Sequence, residues 1–384
     1  MTISLFDPIT LRGVTAKNRL MLSPMCQYSA SEGVPTAWHM AHLGRFALGG
    51  FGSIVMEAAA VSRDGRITHG DLGIWSDDHI EPLRQIVRFL QAQGAVVGIQ
   101  LAHAGRKASS QRPWEGNAAL TADVALPGEP PWPTVAASAI PVTEGWPAPQ
   151  ALSLDGMRGL VSAWAEAARR ADRAGFDLIE IHAAHGYLLH TFLSPLANKR
   201  NDAYGGDLAG RMRFPLEVVE AARAAWPENK PLSVRISAVD GPQDGTSIED
   251  SIVFARELKS RGVDIVDCSS GGVTGGSANA RIPRGFGYQI PLSREVRKQA
   301  DIPTIAVGLI TTPQLANDTI VQGDADIIAM GREALLHPNW PHIARQALAG
   351  QPIYSEWPEQ AGWWLDKREW ALEQARAQAR LVSG

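Results

Sequence analysis

Residues 177–187 read Asp177-Leu178-Ile179-Glu180-Ile181-His182-Ala183-Ala184-His185-Gly186-Tyr187. Leu178, Ile179 and Ile181 suit a β-strand covered on both faces, as in a parallel sheet between layers of helices. The stretch then changes character: two imidazoles and a phenol follow within six residues, where such a strand would end. These groups can donate hydrogen bonds to a carbonyl oxygen and deliver a proton to carbon. A buried strand with chemistry at its C-terminal end belongs to an α/β architecture, and the rest of the chain decides which one.

Seven further apolar runs share this rhythm. Before it come Leu20-Met21-Leu22-Ser23-Pro24, Ser53-Ile54-Val55-Met56-Glu57-Ala58 and Val96-Val97-Gly98-Ile99-Gln100-Leu101. After it come Leu232-Ser233-Val234-Arg235-Ile236, Asp264-Ile265-Val266-Asp267-Cys268-Ser269-Ser270-Gly271, Thr304-Ile305-Ala306-Val307-Gly308 and Asp326-Ile327-Ile328-Ala329-Met330-Gly331-Arg332. Helical spacing occupies 41–48, 80–93, 208–225, 247–260, 292–300, 313–322 and a segment after Asn339. Another helix is expected from Ser153, a suitable N-cap, to Gly175, a suitable stop. Eight strands alternating with helices predict an α/β fold, a (β/α)8 TIM barrel forming a single domain over residues 1–350. A doubly wound sheet would place a Gly-x-Gly-x-x-Gly turn after an early strand, and none is present.

Two segments break the alternation. Residues 105–150, rich in Pro, Gly and Trp, read as a long loop insertion after strand 3, on the substrate side. Residues 351–384 form a C-terminal tail carrying Trp357, Trp363, Trp364 and Trp370, too many aromatics for a solvated tail. Docking at a subunit interface, or over the barrel, is expected.

Composition narrows the classes. The 384 residues are 45% hydrophobic and 20% charged, ordinary values for a soluble globular protein. A net charge of −4 gives no electrostatic case for nucleic acid or an acidic membrane. Two cysteines, Cys26 and Cys268, are too few for a disulfide framework or a four-cysteine cluster, and no metal site is expected. The first residues, Met1 to Pro8, lack the pattern of a signal peptide, and no run is long enough for a membrane span, so a cytoplasmic setting is expected.

Barrel active sites lie at the C-terminal ends of the strands. Collected there are Cys26 and Tyr28, Ala58, Gln100 and His103, the histidine pair with Tyr187, Arg235, Ser270 and Gly271, Gly308, and Gly331 with Arg332. Small residues at the last two strands let backbone N–H groups face a phosphate, with an arginine beside them. Gln100 can hydrogen-bond a heterocycle edge and Arg235 can stabilise an anionic ring, which together suggest a phosphate-bearing aromatic cofactor.

Six motifs, in order, carry a resemblance over nearly the whole chain. They are Ser23-Pro24-Met25-Cys26-Gln27-Tyr28, Gly70-Asp71-Leu72-Gly73-Ile74-Trp75-Ser76-Asp77 and Gln100-Leu101-Ala102-His103-Ala104-Gly105-Arg106-Lys107. The others are His182-Ala183-Ala184-His185-Gly186-Tyr187-Leu188, Asn198-Lys199-Arg200-Asn201-Asp202-Ala203-Tyr204-Gly205-Gly206 and Gly331-Arg332-Glu333. With them the chain resembles the Old Yellow Enzyme family of flavin-dependent ene-reductases, and within it the bacterial branch with a cysteine near the flavin.

The resemblance implies tightly bound, non-covalent FMN reduced by NADPH, with hydride passed to the β-carbon of an α,β-unsaturated carbonyl or nitro-type compound. It implies that His182 and His185 hold the substrate oxygen, that Tyr187 protonates the α-carbon, and that Tyr28 and Cys26 contact substrate. Ser23, Pro24, Met25, Cys26, Ala58, Gln100 and Arg235 match flavin contacts, and Gly308, Gly331 and Arg332 match the phosphate end. A homodimer or homotetramer is implied, in which a tail residue enters a neighbour's site. Trp364 matches that residue, next to Trp363 in a tail longer than its relatives'.

Plainer readings stand beside these. A lone Tyr187 would be a core tyrosine, and a lone Cys26 a small buried hydrophobe, the role expected of Cys268. A Schiff-base aldolase on the same barrel needs a lysine at a strand end; Lys107 lies a little past the third run. A flavin-storage protein would need the ring and phosphate contacts but not His182, His185 and Tyr187 together.

Overall fold

An antiparallel hairpin, β1 (Ile9–Leu11) and β2 (Val14–Ala16), precedes the first barrel strand. The computed structural model describes residues 3–274, 282 and 284–383, so Met1, Thr2 and Gly384, at the ends of stretches read above, lie outside it. Among the described residues, eight parallel strands close into a barrel in the order β3 (Leu20–Leu22), β4 (Ser53–Ala60), β5 (Val96–Ala102), β8 (Leu178–Ala183), β9 (Leu232–Ser237), β10 (Ile265–Ser269), β11 (Thr304–Ala306) and β12 (Ile327–Met330). β12 returns to β3 through Ile328↔Leu20, Ala329↔Met21 and Met330↔Leu22. All eight expected runs are barrel strands.

The barrel interior is layered because alternate strand residues face one way. Met21, Val55, Leu178, Ile265, Ile305 and Ile327 form an apolar floor, and Ile9 and Leu11 of the hairpin pack against it. One layer further up, β8, β9 and β10 turn polar inside the barrel, with Glu180, Arg235 and Asp267 all buried. Two residues further again come His182, Ser237 and Ser269. The outward faces, among them Ile54, Ile99, Ile179 and Val234, pack on helices through Phe46, Leu83, Trp164, Phe214 and Phe254.

The helices are α1 (Ala37–Leu48), α2 (Ile80–Ala92), α3 (Leu154–Ala174), α4 (Leu188–Leu193), α5 (Leu208–Ala225), α6 (Ile248–Ser260), α7 (Ile290–Ala300), α8 (Pro313–Val321), α9 (Arg332–Leu336), α10 (Trp340–Ala349) and α11 (Glu359–Ser383). Ser153 caps α3, its hydroxyl accepting from Gly156 N–H at 3.1 Å, and Gly175 ends it at φ +90°. α1 starts earlier than its apolar spacing indicates, because His39 Nδ1 accepts from the Thr36 N–H at 2.9 Å and closes the first turn. α7 also starts earlier, with a proline in its first turn.

The insertion is not the structureless loop its composition suggests. β6 (Val135–Ala136) and β7 (Gln150–Ala151) pair within it, and two arginines hold its carbonyls. Arg106 donates to Ile140 O and Pro141 O, both at 3.1 Å, and Arg200 to Ala137 O at 3.0 Å. In the tail, Trp357 stacks on His342 with ring centres 4.5 Å apart, and Tyr354 donates to Glu369 at 3.2 Å. Trp363, Trp364 and Trp370 are exposed on α11. Among the described residues no helix is long and apolar enough to cross a membrane.

Candidate active site

The turn that leaves β8 carries His185, Gly186 and Tyr187, and its backbone is pinned from several sides. His185 sits at φ +59° and Gly186 at φ +76°. His185 N–H donates to Ser237 Oγ at 2.9 Å, and Ser237 in turn donates to Gly271 O at 2.7 Å. Lys107 Nζ donates to His185 O at 2.7 Å and to Gly272 O at 2.6 Å. Gly186 N–H donates to His190 Nδ1 at 2.8 Å. A Cβ on Gly186 would stand 2.2 Å from Gly272 O, so this loop and the loop after β10 touch backbone to backbone.

The histidine pair forms a directed chain. Ala184 N–H donates to His182 Nδ1 at 3.2 Å, which assigns the proton of that ring to Nε2. His182 Nε2 lies 3.4 Å from His185 Nδ1, and His185 Nε2 lies 2.7 Å from Ser269 Oγ. Burial first, and the positive charge of Arg235 second, hold both rings well below the usual imidazole range, so both are neutral donors at physiological pH. The resemblance implies that both imidazoles hold a substrate oxygen. Here they are closed on one another through a long contact that a stronger acceptor can replace.

Tyr187 lies edge-on to His182, with ring centres 4.9 Å apart, and the Lys107 ammonium stands 5.7 Å from its ring centre. Burial raises the Tyr187 phenol well above its ordinary value, so it holds its proton. Tyr28 adopts φ +51°, and its phenol is raised for the same first reason, with Cys26 and Tyr187 among its close neighbours. The Cys26 thiol, beside the Ala58 backbone and the Tyr28 hydroxyl, is pushed well above its usual range by desolvation, which does not suit a nucleophile. Trp114 of the insertion meets Tyr28 edge-on at 5.7 Å.

Below these groups lies the polar layer. Gln100 donates to Glu180 Oε1 at 2.8 Å and Ser233 to Glu180 Oε2 at 3.0 Å. Arg235 Nε stands 3.2 Å from Asp267 Oδ2. Burial, then the neighbouring Asp267, raises Glu180, and burial raises Asp267. A cavity of about 390 Å³ opens beside this layer, lined by Arg235, Ser269, Gly308, Gly331 and Arg332. Ser23 Oγ is buried without a partner, while its N–H donates to Met330 O at 2.9 Å. Met25 approaches Gly331, whose Cβ position would lie 3.4 Å from Met25 Sδ.

The structure thus brings Cys26, Tyr28, Ala58, His182, His185 and Tyr187 together, and joins them through Arg235 to Gly308, Gly331 and Arg332. Pro24, half-buried, lies between Ser23 and Met25. Trp364 is not brought to this cluster; it stands 68% exposed on α11, edge-on to Trp363. His103 is also elsewhere, stacked on Trp164 with ring centres 6.3 Å apart. Cys268 is buried as a small core residue. Missing from the sequence reading are Ser237, Ser269, Glu180, His190 and Asp240. Glu180 carried a signal, a charge in the middle of a buried apolar run.

Residues 4–351 match the NADH:flavin oxidoreductase / NADH oxidase family. The chain is 44% identical over 365 residues to an NADPH dehydrogenase of Geobacillus thermodenitrificans (strain NG80-2), covering 94% of this chain and 99% of that one. Among solved structures it is similar to morphinone reductase, with TM-score 0.72 and 25% identity over 92% of this chain and 91% of the other. It is also similar to the old yellow enzyme homologue from Zymomonas mobilis, with TM-score 0.72 and 29% identity over 92% and 96% of the two chains.

Proposed function

Because the chain belongs to the NADH:flavin oxidoreductase / NADH oxidase family, the Old Yellow Enzyme family, we propose that it is an ene-reductase whose chemistry is carried by His182, His185 and Tyr187. It is an oxidoreductase with FMN as cofactor and NADPH as reductant. The residues present fit that cofactor. The cavity of about 390 Å³ has a cation, Arg235, on one side and the small backbones of Gly308 and Gly331 with Arg332 on another. Ser23 Oγ offers a buried hydroxyl that no protein group satisfies. In this reading Ser23, Pro24, Met25, Cys26, Ala58, Gln100 and Arg235 line the ring, and Gly308, Gly331 and Arg332 hold the phosphate.

When bound and reduced, FMN supplies a hydride for the β-carbon of an activated alkene. His182 and His185, as neutral N–H donors, turn from one another to the substrate's carbonyl or nitro oxygen and stabilise the charge that develops there. Tyr187, which keeps its proton, gives it to the α-carbon. Tyr28 reaches the same oxygen, and Cys26 lies against the ring as a neutral thiol, as in the cysteine-containing branch. The observation that carries this reading is the contact between His182, His185 and Tyr187 at the mouth of the barrel, with imidazoles held neutral and phenol held protonated.

We also propose that residues 351–384 dock between copies of this chain in a homodimer or homotetramer, with Trp364 reaching a neighbour's site. The exposure of Trp363, Trp364 and Trp370 supports it. The test of the activity is a visible spectrum during anaerobic NADPH titration, followed by cyclohexenone. A flavin band that bleaches and then returns is expected. A band that bleaches and stays bleached with enones and nitroalkenes overturns the substrate class.

A further inference from the structure

Gly186 lies between His185 and Tyr187, and its N–H is a backbone donor through which the surrounding fold can act on both neighbours. The acceptor, His190 Nδ1, is 2.8 Å away, so this ring carries its proton on Nε2. Nε2 faces Asp240 Oδ1 at 2.8 Å. The other carboxylate oxygen, Oδ2, accepts from Ser194 Oγ and from Thr246 N–H, both at 2.7 Å. Asp240, His190 and Ser194 are all buried, and none lies among the groups that line the mouth. Burial alone would raise Asp240, but His190 and the hydrogen bonds it accepts outweigh this and hold it below the usual carboxylate range.

We propose that Asp240, acting through His190, is a positioning residue that fixes the His185–Gly186–Tyr187 turn for proton delivery; this rests on the reading of His185 and Tyr187 given above. A carboxylate can only accept, so it fixes the His190 tautomer with the acceptor nitrogen toward Gly186. The turn needs such support because His185 is a non-glycine residue in the left-handed region, a conformation with a steric cost.

Asp240→Asn tests this with little change of shape. Ser194 O–H and Thr246 N–H hold the amide oxygen on their side, so the NH2 group replaces Oδ1 and faces His190 Nε2. The imidazole must then present a bare Nε2 and carry its proton on Nδ1, donor against donor with Gly186 N–H. Nitrogen-15 spectra of histidine-labelled holoenzyme should show one ring exchange tautomers. The reduced enzyme should be reoxidised by cyclohexenone about 10–100-fold more slowly. Reoxidation by ferricyanide, which needs no proton at carbon, and FMN content should hold. A tautomer exchange with the enone-to-ferricyanide rate ratio unchanged overturns the proposal.

If that variant yields no holoenzyme, His190→Asn and His190→Leu decide the matter. Asparagine places an amide oxygen where Nδ1 stands and should preserve the ratio, whereas leucine should lower it. Equal ratios in the two overturn the proposal. Tyr187→Phe, run in parallel, separates the two levels. If it leaves the ratio unchanged, the proton-donor reading has failed. If it lowers the ratio while Asp240→Asn does not, only the role of Asp240 has failed.

Discussion

Lys107 donates to the carbonyl oxygen of His185 at 2.7 Å, and the same ammonium bridges to Gly272 O, tying the loop after β8 to the loop after β10. Replacing it by methionine keeps the bulk and removes the charged donor that the His185 and Gly272 carbonyls share. A hydrogen bond to a charged group is worth about 1.5–3 kcal/mol. Lys107→Met should therefore lower stability in urea unfolding of the holoenzyme and slow enone turnover more than ferricyanide turnover. Wild-type stability and rate ratio together would show the bridge to be incidental.

Tyr187→Phe removes the proton and little else. Loss of a positioned acid slows a proton-dependent step by about 10²–10⁴-fold. The expected pattern is slow reoxidation by cyclohexenone with flavin reduction by NADPH nearly intact, read by stopped-flow absorbance of each half-reaction. Equal losses in both halves would remove Tyr187 from the role of donor.

His182 and His185 should act as one oxygen site. Replacing both by alanine should weaken binding of a phenol, followed through perturbation of the flavin band, by at least about tenfold, since a hydrogen bond to a charged group is worth about 1.5–3 kcal/mol. Because both rings stay neutral, wild-type phenol affinity should show no imidazole titration between pH 6 and 7, the ordinary range of that group.

Gly308 adopts φ +117°, and a Cβ there would stand 2.8 Å from Gln289 Nε2 at the edge of the cofactor cavity. Gly308→Val should weaken FMN retention about tenfold or more, by strain and by filling space, a cost of about 1–3 kcal/mol. Equilibrium dialysis of the apoprotein against FMN reads this directly. Unchanged affinity would place the phosphate elsewhere.

Acid should destabilise the fold through histidines that do not touch the site. His103 is held below its ordinary value by burial, and His42, by burial and then Arg45, down to about 4. As pH falls below about 6.5 the unfolded chain takes up protons that the folded rings refuse, so stability falls with pH across the window down to about 4. His103→Asn, whose amide oxygen can stand where Nδ1 accepts the Gly105 N–H at 3.0 Å, should flatten this slope in melts run from pH 7 to pH 5.

The barrel was legible because every strand is a short apolar run and the runs alternate with helical spacing. The His182–Tyr187 segment stood out because three polar rings crowd one strand end, and the structure brings those rings together. The support beneath it was hidden for physical reasons. Lys107 and His190 act on backbone atoms, and a sequence does not show which carbonyl a side chain will reach. Asp240 lies 50 positions from its partner and meets it only because β8 and β9 are neighbours. The insertion looked formless because its order comes from Arg106 and Arg200, which lie outside its least regular part.

The hairpin under the barrel has a kinetic meaning. With Ile9 and Leu11 packed against the apolar residues at that end, the barrel is a cul-de-sac. Among the described residues, that leaves the histidine end of the barrel as the way in. On the function proposed above, reductant and acceptor share that one mouth, and turnover becomes a matter of taking turns. An excess of either should then obstruct the other.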